Sequence, residues 1–280
     1  MKMAEELQRE LCSINRKSYP AYKGLKGAYQ FPDYQLFIEH VQGDPFAAPS
    51  ALRIFVPHSK AKFPERYYWD KCSKVALQDA LLRRFAEISA KFCYQAKGSG
   101  KSGVIQVSHC GQEVLERTAC EITKEGIHIR CFVGFPANGR TINSGELEKI
   151  LFVYLPKFVE MSLYHRKVLE RETEQVICLK EDQRVIREEL KKRGLIAFVA
   201  NGSILPRQSG NSDLPMKDAV PFQSPKSMEI TIQLRHRGSI TGMGIRKGIT
   251  LIAGGGYHGK STLLEALEKG VYDHIAGDGR

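Results

Sequence analysis

Apolar positions open the chain as a helical stripe, Leu7, Leu11 and Ile14, set among charged residues near the i, i+4, i+7 spacing. Two strand-like runs follow at 34–41 and 51–57, separated by the turn-rich QGDPFAAPS. From 65 to 91 the period returns to that of a helix, with Val75, Leu77, Leu81, Leu82, Phe85 and Ile88 turned inward. The glycine- and serine-rich KGSGKSG at 97–103 predicts a flexible surface loop. Strands at 104–107 and 126–135 come next, the second alternating Ile127, Ile129 and Cys131 against His128, Arg130 and Phe132. A helix at 144–165, capped by Ser144 and apolar along Leu147, Ile150, Leu151 and Tyr154, closes this half, and Pro156 should bend it.

The second half starts on VICL and continues as a helix over 181–193, whose leading acids and trailing KKR before Gly194 suit the helix dipole and a glycine cap. A buried strand at 195–200 leads into 201–225, a stretch dense in Gly, Ser, Asn and Pro, a long loop of the kind that is usually functional or disordered. Strands at 229–234 and 249–253 then deliver the chain to a run of glycines followed by the helix-forming STLLEALEK. The fold class is therefore mixed, α+β at the start and α/β at the end, with a domain at 1–165 and a second at 166–280.

Composition narrows the classes. No apolar run approaches the roughly 20 residues that span a bilayer, and the N-terminus lacks the apolar stretch of a secretory signal. Seven cysteines (12, 72, 93, 110, 120, 131, 178) are irregularly spaced with no C-x-x-C, which argues against zinc and a disulfide framework and for a reducing, cytoplasmic setting. The net charge is +11, and the segment 53–101 concentrates it, with 11 basic and 4 acidic residues.

The chemistry sits at GITLIAGGGYHGKSTLLEALEKG, which contains G-x-x-x-x-G-K-[ST] as Gly254, Gly259, Lys260 and Ser261 between a strand and a helix. A phosphate chain needs backbone N–H groups at close range, and glycines allow both that approach and positive φ. Gly254, Gly255, Gly256, Tyr257, His258, Gly259, Lys260, Ser261 and Thr262 are the candidate ATP-binding residues. Lys260 supplies a mobile charge for the β- and γ-phosphates, and the Ser261 hydroxyl is the candidate Mg²⁺ ligand. For His258, a phosphate contact and an outward-turned side chain both stay open. GSGKSG at 98–103 imitates such a loop, but Gln95 stands where its first glycine should be.

AFVANGSILPRQSG (197–210), GMGIRKGITLIAGGGYHGKSTLLEAL (242–267) and GVYDHIAGDGR (270–280) resemble the family of predicted ATPases of the ABC class, over most of the chain. The resemblance implies an N-terminal domain peculiar to that family followed by the beginning of an ABC-type P-loop nucleotide-binding core. It also implies a homodimer in the complete protein, in which each ATP lies between one subunit's P-loop and the other's signature motif. The family's ATPase domain continues well past the phosphate loop, whereas this sequence stops 20 residues after Lys260. Neither the catalytic carboxylate nor the signature motif is present, so binding without turnover is expected of it. Ser203 and Arg207 in SILPRQSG are candidate nucleotide or dimer contacts, and Phe222 is a candidate stacking partner for adenine; a structural turn and a core aromatic are the alternatives.

The basic segment 53–101 interleaves cations with Phe55, Phe63, Tyr67, Tyr68, Trp69, Phe92 and Tyr94, a composition suited to RNA or single-stranded DNA, with Lys60, Lys62, Arg83 and Arg84 as candidate contacts. A core helix with solvated lysines explains the same pattern. Cys110 beside His109 lacks any third, orienting group for nucleophilic chemistry. Three functions remain: an ATPase coupled to nucleic-acid handling, a nucleic-acid-binding module that senses ATP, and a small-molecule kinase.

Overall fold

A computed structural model describes residues 1–280, apart from the side chains of residues 167–169. The chain divides into two compact units, one of residues 1–69, 77–109 and 116–171, the other of residues 70–76, 110–115 and 172–280.

The first unit is built on a sheet of β1 (Lys2–Met3), β2 (Gly27–Gln30), β3 (Gln35–His40), β4 (Ser50–Pro57), β5 (Ile105–Gln106), β7 (Cys120–Ile122) and β8 (Gly126–Val133). Strand order is β1-β2-β3-β4-β8-β5, with β7 also paired to β8; only β1 and β2 run parallel. The alternation seen in the sequence sets the register. β4 and β8 pair from Ser50 opposite Val133 to Pro57 opposite Gly126, which buries Leu52, Ile54 and Val56 with Ile127, Ile129, Cys131 and Val133 on one face. The helices are α1 (Ala4–Ile14), the single turn α2 (His58–Ala61), α3 (Lys71–Ala90) from residue 77 on, α4 (Ser144–Glu148) and α5 (Leu155–Leu163). From α3, Leu77, Leu81, Leu82, Phe85 and Ile88 are buried, Gln78 Oε1 accepts the Ile122 N–H (3.1 Å), and Phe85 meets Phe158 edge-on at 5.8 Å.

Three expectations for this half are corrected. The long helix begins at Lys71 rather than at 65, because Asp70 takes the capping position, its Oδ1 accepting the Ser73 N–H at 3.0 Å. Ser144 does not cap its helix: its N–H donates to Asn15 Oδ1 (3.2 Å), and the helix is interrupted by a π-helical turn at Lys149–Tyr154 just before Pro156, the residue without a donor. The 97–103 segment is no flexible linker. Ser99 N–H donates to Ala137 O (2.7 Å), Lys101 N–H to Pro45 O (2.8 Å), and Ser102 is buried. A Cβ on Gly103 would stand 2.2 Å from Ala96 O, so glycine here serves close packing of backbones.

The second unit holds the three-stranded antiparallel sheet β11 (Leu195–Ala200), β13 (Ser239–Arg246), β12 (Glu229–Gln233), in that order, with α6 (Lys167–Lys192) from residue 172 on, α7 (Lys260–Lys269) and the short pair β6 (Glu113–Val114) with β14 (Asp273–His274). β9 (Ala137–Asn138) and β10 (Thr141–Ile142) form a hairpin in the first unit. VICL lies inside α6, where Ile177 is buried. α6 ends where expected, with Gly194 at φ +65°. β11 is an edge strand, half-buried rather than buried, with Ile196 exposed. The central strand β13 has no counterpart among the expected elements. Nor is 249–253 a strand: Ile249 and Leu251 are exposed, because an apolar run becomes a strand only beside a partner, and none of the described residues provides one. A small core of Val199, Leu205, Met243, Ile245 and Ala266 takes Phe222, Met228, Leu263 and Leu267 against it.

Candidate phosphate-binding loop

Residues 254–259 are exposed throughout and enter α7 through Gly259 at φ +77°, a left-handed conformation that glycine adopts without penalty. Tyr257 holds φ +62° with its ring fully in solvent, a conformation that costs a non-glycine residue about 1–2 kcal/mol. The Gly255 peptide is gripped on both sides. Its N–H donates to His258 Nδ1 (3.2 Å), and its carbonyl accepts a bond from Lys260 Nζ.

The start of α7 supplies the donors. The Leu263 N–H bonds back to Gly259 O (2.9 Å), and no side chain caps the helix. The N–H groups of Lys260, Ser261 and Thr262 therefore precede the helical ladder at the positive end of the dipole. Leu263, Ala266 and Leu267, at i, i+3 and i+4, anchor the helix in the small core and leave this end in solvent. Such an end holds a phosphate-like anion. The exposed Ser261 hydroxyl is suited to one ligand position on Mg²⁺. No cluster of three His, Cys, Asp or Glu that could hold a metal exists among the described residues.

The candidate residues upstream have other engagements. Arg207 is nearly buried, and its Nη1 donates to Asp278 Oδ1 (3.1 Å), to the Asp278 carbonyl (2.8 Å) and to the Asp213 carbonyl (3.0 Å). Asp278 also accepts His274 Nδ1 (2.9 Å) and the Arg280 N–H (3.2 Å). Burial alone would push the Asp278 carboxyl up; the His274 hydrogen bond and the charges of His274 and Arg207 hold it below the usual range. Burial alone would lower His274, but its bonds to Asp278 and to the Lys269 carbonyl raise it instead. The Ile204 N–H to Gly279 O bond (2.7 Å) completes a splice between 203–210 and 274–280. Sequence reasoning missed this cluster, although both segments lay in the quoted motifs. Ser203 and Phe222 pair through their backbones (2.8 Å), and Phe222 lies against the small core.

The nucleic-acid candidates fall on separate elements. Lys60 pairs with Asp33 (2.6 Å), Lys62 is exposed at the end of α2, Arg83 pairs with Asp79 (2.5 Å), and Arg84 lies 3.7 Å from Glu87. Of the interleaved aromatics, Phe63 and Tyr67 are core residues, while Trp69 and Tyr94 are exposed. The outward face of the sheet, not singled out from the sequence as a site, stacks Phe55 on His128 (4.6 Å) and Arg53 on Phe37 (3.8 Å), but Glu39 and Glu121 pair its arginines 53 and 130.

Comparison with known proteins adds the following. A family model described as the N-terminal part of an ATPase of the ABC class matches residues 4–166, and one described as an ABC ATPase P-loop domain matches residues 169–280. An uncharacterized protein of Methanocaldococcus jannaschii is 35% identical over 111 residues, a match covering 35% of this chain. The chain spans 24% of that relative's length. No helix among the described residues is long and apolar enough to cross a membrane.

Proposed function

Because the chain belongs to the family of ATPases of the ABC class, we propose that residues 254–262 bind the phosphates of ATP with Mg²⁺, in a protein that couples nucleotide to nucleic-acid handling. The uncapped start of α7, entered through left-handed Gly259 with Lys260 beside it, carries the first half of this reading. The N–H groups of residues 260–262 cradle phosphate oxygens, and Lys260 brings its charge to the outer phosphates. The Ser261 hydroxyl holds Mg²⁺. Hydrolysis, in a homodimer, would also draw on a metal carboxylate and a group that positions water.

Calorimetry with Mg-ATP tests the site. Lys260→Ala removes a charge-assisted contact and should weaken binding by about 1.5–3 kcal/mol, roughly 10- to 150-fold. Equal affinities for the two proteins would refute the assignment.

The nucleic-acid half draws on the excess of basic residues in 53–101 and on the exposed Trp69 and Tyr94 nearby. Neutralising Lys60, Lys62, Arg83 and Arg84 together should weaken binding of a homopolymer RNA and flatten its salt dependence. If filter binding at low salt detects no complex with any homopolymer, the coupling is withdrawn and the nucleotide site stands alone.

A further inference from the structure

We propose that His258 is a strut of the phosphate loop: its imidazole accepts the Gly255 N–H and, with Lys260 on the Gly255 carbonyl, fixes that peptide before nucleotide arrives. The proposal rests on the reading of 254–262 as a phosphate site and names a positioning residue within it.

A segment with glycine at 254, 255, 256 and 259 has little conformational preference of its own, and ordering each residue costs about 1–2 kcal/mol. Something in the loop must narrow its choices. Only two side chains lie between those glycines. Tyr257 points into solvent, whereas His258 turns back over the loop. Its ring lies close over Gly255: a Cβ there would stand 3.1 Å from Cε1, so a side chain at 255 would press the imidazole outward by a few tenths of an ångström. A Cβ on Gly254 would be 3.7 Å from both His258 Nδ1 and Lys260 Cδ, which places the two side chains against the same stretch of backbone.

The chemistry is specific. To accept the Gly255 N–H, His258 Nδ1 must carry a lone pair, so the ring is the Nε2–H tautomer. With the peptide orientation set, the Gly255 carbonyl faces Lys260 Nζ, and the ammonium spends one of its three protons on it. Two protons remain for phosphate. A flipped Gly255 peptide would release Lys260 from this position. His258 therefore acts on nucleotide through Lys260 and the loop backbone rather than by contact.

Three variants of the full chain, His258→Ala, His258→Asn and Lys260→Ala, are compared with the wild type by Mg-ATP calorimetry, alongside ¹⁵N NMR of the ligand-free histidine ring. Asn offers an acceptor oxygen at similar reach; Ala offers none. Loss of one hydrogen bond of ordinary net strength should weaken Mg-ATP about fivefold in His258→Ala, and His258→Asn should return to within about twofold of wild type. Equal affinity in wild type and His258→Ala, or an Asn variant as weak as the Ala variant, overturns the strut. If the wild type binds no nucleotide, or Lys260→Ala changes nothing, the phosphate-site reading has failed. The ring spectrum then decides the strut alone: the Nε2–H tautomer with a Gly255 amide shift that moves in His258→Ala supports it, and an Nδ1–H ring refutes it.

Discussion

Asp278→Asn should loosen the second unit by about 3 kcal/mol. The carboxylate is almost wholly buried and is the common acceptor for Arg207 Nη1, His274 Nδ1 and the Arg280 N–H, so the substitution strips the counter-charge from Arg207, whose side chain is only 9% exposed. Removing one member of a buried pair costs about 3–5 kcal/mol, because the remaining charge stays desolvated. The lower end applies here, since Arg207 keeps its bonds to the Asp278 and Asp213 carbonyls. Native-state hydrogen exchange by mass spectrometry reads this locally. Peptides covering 195–200 and 239–246 should exchange roughly 150-fold faster, the factor corresponding to about 3 kcal/mol. Asp218→Asn, at an exposed site in the same unit, should change exchange by less than about threefold. Arg207→Met combined with Asp278→Asn should cost less than the sum of the single variants, as removing both charges removes the unpaired one. An Asp278→Asn protein that exchanges like the Asp218→Asn control would refute the view that this pair splices the two segments.

Two further outcomes follow from the same unit. His274 is raised above its ordinary 6.5, so its contribution is complete below that pH and is lost as pH rises through the elevated value; Asp278 is lowered from 3.8, so its contribution is present above that pH and lost on acidification. The destabilisation caused by His274→Gln, measured as the shift in urea midpoint, should accordingly be larger at pH 5.5 than at pH 8.5, and a shift that grows with pH would contradict the pairing. The exposed Ile249 and Leu251 form an unpartnered apolar run, so Ile249→Lys with Leu251→Lys should reduce light scattering at high protein concentration, and unchanged scattering would show that this run does not drive association.

What could be read in the sequence was chemistry that needs fixed residue types at short range. Gly259, Lys260 and Ser261 are consecutive, and each is dictated by the approach, charge or hydroxyl that a phosphate requires, so the loop was legible before its neighbours were. The buried face of β8 was legible for a similar reason, because a period of two over eight residues leaves one choice of buried face. β13 was not anticipated, and Gly242 and Gly244 weaken its strand pattern. The structure gives the reason for the first: a Cβ on Gly242 would stand 2.2 Å from the Val199 carbonyl of β11, so the residue that lowers strand propensity is the one that permits the pairing. Propensity was overridden again at VICL, a β-branched run carried into α6, where a single buried position, Ile177, meets the needs of a helix as well as those of a strand.

The same distinction between local and distant determinants runs through the candidate site. Seventy-one residues separate Arg207 from Asp278, and no spacing rule joins them: Arg207 stood as a candidate nucleotide or dimer contact and Asp278 drew no reading, until the fold brings them to 3.1 Å. His258 lies at the other extreme, three residues from the N–H that donates to it, yet its direction was undecided on sequence because a side chain in an exposed loop has no periodicity to orient it. Its orientation follows instead from what surrounds it. The imidazole lies over Gly255, whose N–H offers that ring a donor, and Tyr257, held at positive φ, is turned into solvent. Gly255 and Gly259 thus have different tasks: Gly259 takes the positive φ that leads into α7, and Gly255 keeps a Cβ out of the space over which the imidazole turns.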